Sequence, residues 1–144
     1  MDILSIAIIL FLILELLNVC LLYFTPGSCK GNGLGVFSAF EKSKSDPEVH
    51  ALVKYMANWV AGTKLIFIFL LIVVLFNGDQ NTKKWSVAAL IATISIFYWR
   101  LFPAIRKMDR NNALTQKGYS KTLGIMIACI LAVFIVSLLI SLID

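Results

Sequence analysis

A chain of 144 residues has room for one domain. Hydrophobic residues make up 60% of it and charged residues 15%, against about 45–50% and about 25% in soluble proteins. So few polar side chains cannot cover such a core in water, which excludes an ordinary soluble domain and points to lipid as the second solvent.

The first element is Ile3–Phe24, whose 22 residues reach about 33 Å at 1.5 Å per residue. That length suffices for about 30 Å of hydrocarbon. Asp2 stands where a signal peptide would carry positive charge, so the stretch is read as a retained membrane helix. The loop 25–46 that follows is long and glycine-rich. Its Gly31-Asn32-Gly33-Leu34-Gly35 run resembles a phosphate cradle but lacks the preceding strand and following helix that a cradle needs. Leu34, Phe37 and Phe40, followed by Lys42 and Lys44, read as a short amphipathic segment. Its phenylalanines are expected in the membrane interface and its lysines on anionic lipid headgroups.

The second helix is expected over 47–76. Asp46-Pro47-Glu48 supplies a capping acid, a proline at the first helical position and an acid against the positive helix end. At about 45 Å this helix projects roughly three turns from the membrane, with His50 on the projecting part as a surface residue. A short turn on Asn77-Gly78-Asp79 leads to a third helix over 85–102, which Pro103 is expected to end. The loop 103–119 is basic and is expected to hold a short surface helix around residues 104–110. The fourth helix spans 120–143. The fold class is therefore all-α: a polytopic membrane protein, one bundle of four transmembrane helices. Ala57 with Ala61, Asn58 with Gly62, Ala88 with Ala92, and Gly124 with Ala128 and Ala132 are expected to form close-packed seams.

With four crossings, both termini and the second loop share one side. Ten lysines and arginines fall with loops 25–46 and 103–119, against only Lys83 and Lys84 on the other side. That bias predicts an integral protein of the cell or inner membrane with both termini outside and those two loops in the cytoplasm. The net charge of +5 is thus read as a topology signal, with the bilayer as partner and no nucleic acid. The three cysteines have no CxxC spacing and there is one histidine, so neither a metal site nor a disulfide framework is expected. No cofactor motif and no catalytic set is visible.

Glu15 is the most informative residue. An ionised carboxylate near the middle of a membrane helix costs at least ~2.5 kcal/mol, so it must be neutral, paired or facing a polar cavity. Asn18 lies one turn away on the same face. Lys64 lies about 8 Å past Trp59 by helical rise, with a stem that reaches further, which makes a Glu15–Lys64 pair compatible in depth. Asn58 adds polarity on the same second helix. Glu15, Asn18, Asn58 and Lys64 are therefore the candidate intramembrane site. It is either a proton- or ligand-binding carboxylate or a structural pair that fixes helix register. Tyr98, Trp99, Arg100, Arg106, Lys107 and Lys121 gather at the basic interface. They read as an aromatic and positive anchor belt, or as a pocket for an anionic lipid or substrate head.

Three functional classes fit. The first is a non-enzymatic membrane subunit, assembly factor or lipid- or partner-binding module. The second is a homo-oligomeric small transporter or channel working through Glu15 and Lys64. The third comes from a resemblance. The length, the four helices, the long first loop and the basic end, with Pro47-Glu48 followed by Asn58, resemble the MAPEG family of membrane enzymes that use glutathione. That family carries an arginine soon after the glutamate and an acid three residues after the asparagine. This chain has His50-Ala51 and Ala61 in those neighbourhoods. The resemblance implies a glutathione-dependent membrane enzyme with Arg100 and its neighbours on the anion, and no catalytic residue is carried over.

Overall fold

The structure is a computed structural model and describes residues 2–143. Its elements are α1 (Ile3–Phe24), a single 3-10 turn (Leu34–Val36), α2 (Ser38–Ser43), α3 (Pro47–Asn77), α4 (Gln80–Arg110) and α5 (Tyr119–Ile143). The four long helices are each apolar enough to cross a membrane, so the chain is an all-α membrane bundle.

Three of the four long helices begin on an aspartate. Asp2 accepts from the Ser5 N–H at 2.8 Å, Asp46 from those of Glu48 and Val49, and Asp79 from that of Thr82 at 2.7 Å. The fourth cap is supplied from a distance. Asp109, near the end of α4, accepts from the Gly118 and Ser120 N–H groups and from the Ser120 hydroxyl at 2.6 Å. It thereby satisfies the first orphan donors of α5 and ties the two helices into a hairpin.

The third membrane helix does not end at Pro103. It runs unbroken from Gln80 to Arg110 with Pro103 inside it, so the expected separate surface helix is its last part and the expected loop shrinks to residues 111–118. Proline removes one intrahelical hydrogen bond, a loss that membrane helices tolerate where neighbours re-satisfy the backbone. Beyond the proline, Ile105 is buried against Val36, Leu114 and Leu123, and that packing holds the continuation in place.

α1 is the central helix, packed on α3 along one side and on α5 along another, while α4 packs on α5. α3 and α4, joined by the short turn at Gly78-Asp79, make few contacts with each other. At the end that carries this turn the bundle is dense. Phe11 sits edge-on to Phe67 and Phe134, with ring centroids 5.9 and 5.2 Å away, among buried Leu4, Ile8 and Val87. There Lys83 donates to Asp2 at 3.1 Å and to the Ser5 hydroxyl at 2.9 Å.

The opposite end is closed by the first loop, which docks on the α4–α5 turn. The Ser38 N–H and hydroxyl both donate to the Ala113 carbonyl, and the Thr115 N–H donates to the Val36 carbonyl at 2.8 Å. Tyr119 donates its hydroxyl to the Gly31 carbonyl at 2.6 Å. The glycines of the supposed cradle have a packing reason: a Cβ on Gly33 would strike the Ser28 carbonyl and one on Gly35 the Gly27 carbonyl. The amphipathic reading of this loop is corrected in part. Phe40 is buried, and Phe37 packs on the cluster around Val36, so the aromatics face protein. Lys42 and Lys44 remain exposed.

The α5 seam is also corrected. Gly124 is buried, lies against the Phe102 ring and accepts the Tyr98 hydroxyl at 2.6 Å, whereas Ala128 and Ala132 face outward. Ala57 and Ala61 are buried where α3 meets α1. His50 is not a free surface residue, because its Nδ1 lies 2.9 Å from the Ser43 hydroxyl and its ring lies against Phe40.

Burial pushes the Asp2 carboxyl up, but hydrogen bonds from the Ser5 N–H and O–H and from Lys83 outweigh it and hold the pKa at about 2, below its usual 3.8. A depressed carboxylate stabilises the fold above its unfolded pKa and loses that contribution as pH falls through the folded value. Asp2→Asn is therefore expected to cost about 1 kcal/mol at neutral pH, allowing for solvent screening. Thermal unfolding in detergent checks this. The gap between wild type and variant should be open near pH 6 and close as pH approaches 2.

Candidate functional site

Glu15 lies on the inward face of α1, on the stripe formed by Ile8, Phe11, Asn18 and Leu22. Lys64 lies on the matching stripe of α3, between Ala57, Ala61, Ile68 and Leu71. Both stripes follow alternating three- and four-residue steps, which keep one helix face turned to its neighbour. The two charges are thus delivered to the seam, and Lys64 donates to Glu15 Oε2 at 2.6 Å. The pair is not sealed, since the two side chains are 25% and 20% exposed.

What they are exposed to is a cleft. A space of about 520 Å³ lies along α4 and α5, with Glu15 of α1 and Lys64 of α3 in its wall. Apolar side chains such as Ile94, Phe97, Leu101, Leu123 and Ile127 line most of the rest, and Arg100, Asn32 and Tyr119 add polar groups. A second cavity of about 440 Å³ adjoins it against α3. Lys64 and Asn32 line both, and Asn18 lines the second.

The other expected site residues separate. Asn58 is exposed and lines neither cavity; it lies one position past buried Ala57, so it is turned off the seam. Of the basic belt, only Arg100 reaches the cleft. Tyr98 is a packing residue, its hydroxyl spent on the Gly124 carbonyl. Trp99 is 78% exposed, and the Arg100 guanidinium lies 5.9 Å from its ring centroid. Arg106 and Lys107 line a shallow cavity around Pro103 on the outside of α4. Lys121 is exposed and belongs to neither.

Asn32 and Thr93 were not singled out from the sequence. Thr93 and Arg100 lie seven residues apart, two turns on one face of α4, which is a usable signal. Asn32 reaches the cleft only because its loop folds back, and no local pattern announces that.

Removing one partner of a buried pair leaves an uncompensated charge, whereas removing both can be nearly neutral. Glu15→Gln or Lys64→Met alone is therefore expected to destabilise the protein by about 2–4 kcal/mol, and the double variant by less than either. Thermal melts of the three variants in one detergent check this. A double variant no better than the singles would remove the coupling.

No family model, no curated protein and no solved structure matches this chain.

Proposed function

We propose that this is a non-catalytic integral membrane protein that holds an anionic lipid in the cleft along α4 and α5, with Arg100 receiving the charged head. The observation that carries the reading is the cleft itself. Its volume of about 520 Å³ falls in the range of small-molecule sites, about 300–1,000 Å³. Its walls are apolar along most of their length, as an acyl chain requires. Arg100, within it, has no hydrogen bond or ion pair among the described residues. A guanidinium that presents several donors and always carries charge suits a phosphate or carboxylate.

The end that carries Arg100 is read as cytoplasmic, with both termini outside. Ten of the lysines and arginines lie toward it. Only Lys83 and Lys84 lie toward the other end, and this difference in lysine and arginine count is what sets orientation.

Two measurements test these readings. Native mass spectrometry from a mild detergent should find a repeatable anionic lipid mass, and Arg100→Gln should cut its retention about tenfold, the effect of one hydrogen bond to a charged group. Recovery of only a protein partner, or equal retention of zwitterionic lipid, would overturn the lipid reading. For orientation, the exposed Cys29 should react with a membrane-impermeant maleimide only after cells are permeabilised. Labelling of intact cells would reverse the topology.

A further inference from the structure

The last two turns of α4 carry three cations that nothing in the protein answers. Pro103, Arg106, Lys107 and Arg110 follow steps of three, one and three residues, which keeps them on one side of the helix. With Phe102 and the capping Asn111 they line a cavity of about 440 Å³, and no other element contributes to its wall. None of these residues lines the cleft, so the two spaces lie on different sides of α4. Among the described residues, the ion pairs use Lys44, Lys64 and Lys83, and Arg106, Lys107 and Arg110 make no side-chain hydrogen bond. Asp109, the acid on this stretch, is spent on Gly118 and Ser120 at the start of α5.

Three like charges held this closely repel one another. Arg106 and Arg110 are four residues apart, and Lys107 and Arg110 three, the spacings at which helix neighbours meet. A topology signal needs lysines and arginines on one side of the membrane, not on one face of a helix. The negative end of α4 offsets only about half a charge. The cavity therefore keeps roughly two and a half positive charges, more than a phosphodiester with its single charge can neutralise.

The level of the cavity says where an anion would come from. Trp85 and Trp99 are 71% and 78% exposed near the two ends of the apolar part of α4, and tryptophan marks the membrane interface. Pro103 lies one turn beyond Trp99, where hydrocarbon gives way to headgroups. Trp99, Pro103, Arg106 and Arg110 follow one stripe at steps of four, three and four residues. An acyl chain can thus lie along the apolar part of the stripe with its head among the cations.

We infer that this face of α4 is a second anion site, separate from the cleft, and that it takes a phosphate group with two negative charges, carried by a lipid with a phosphomonoester head. Arg106 and Arg110 offer forked donors to the phosphate oxygens and Lys107 a point charge. The site stands whether or not the cleft holds a lipid.

The test compares phosphatidic acid with phosphatidylglycerol of the same two chains, bound by the full-length protein in one detergent and read by native mass spectrometry. At pH 8 the first head carries close to two charges and the second one, because a phosphomonoester loses its second proton near pH 6. Wild type should retain phosphatidic acid about tenfold more strongly, the effect of one further hydrogen bond between charged groups. Arg106→Gln combined with Arg110→Gln should remove the preference, and Arg100→Gln should leave it in place. At pH 4, where both heads carry a single charge, the preference should vanish.

Equal retention of the two lipids by wild type at pH 8 overturns the inference. So does a preference that persists at pH 4, which reports headgroup size and not charge. A preference lost in Arg100→Gln and kept in the double variant moves the dianion to the cleft and overturns the second site. Displacement of phosphatidic acid by an equal concentration of inorganic phosphate overturns the lipid as the source. If wild type holds phosphatidic acid through Arg106 and Arg110 but holds no phosphatidylglycerol, the cleft reading fails and this site stands. Both arginines are exposed, and the wild-type comparison decides the charge question by itself, whatever the variants do to folding.

Discussion

A carboxylate placed in the apolar middle of a helix has to be answered by another group, and the place of the answer fixes how helices meet. Glu15 and Lys64 lie on the two inward stripes of α1 and α3. If α3 slid along α1 by one turn, about 5.4 Å, or turned by one residue, Glu15 would keep its charge and lose its partner. Apolar side chains alone tolerate such slips, because one branched aliphatic contact replaces another at little cost. The ion pair is what distinguishes one register from its neighbours, at the expense of leaving two polar groups beside a space that neither helix fills.

That space follows from the way the remaining helices are tied. α4 is fastened to α5 along its length, by Gly124 against Phe102 and Tyr98 and by Asp109 at the start of α5. α3 is fastened to α1. The two pairs are joined where α1 packs on α5, while α3 and α4 make few contacts beyond their short turn at Gly78-Asp79. The first loop spans the far end of the gap through backbone hydrogen bonds to residues 113 and 115. Asn32 and Phe37 of that loop line the cleft together with α4 and α5.

Much of the fold could be read from local chemistry. Four apolar runs give four helices, and Asp46-Pro47-Glu48 marks the start of α3 to the residue. The Glu15–Lys64 contact follows from counting rise along two helices, because straight helices convert sequence position into depth. Three features could not be read this way. The continuation of α4 past Pro103 depends on what Ile105 packs against, and its partners lie in the first loop and in α5. The docking of that loop is made by backbone groups, which every residue has, so no side-chain pattern encodes it. The cleft is a property of the angle between helices. Arg100 could therefore be placed at the right end of the molecule but not separated from Trp99, Arg106 and Lys107, which face elsewhere.

The docking of the first loop on the α4–α5 turn also has a consequence in time. The partners of residues 31 and 38 lie 88 and 75 positions later in the chain. At a synthesis rate of about 5–20 residues per second, the loop waits roughly 4–18 s before those partners exist. During that interval Val36 and Phe37, which pack on Ile105, Leu114 and Leu123, have nothing to rest on. The basic end of the protein is finished only when the last helix has entered the membrane, so an arrested or shortened chain would display an apolar loop that the complete protein conceals.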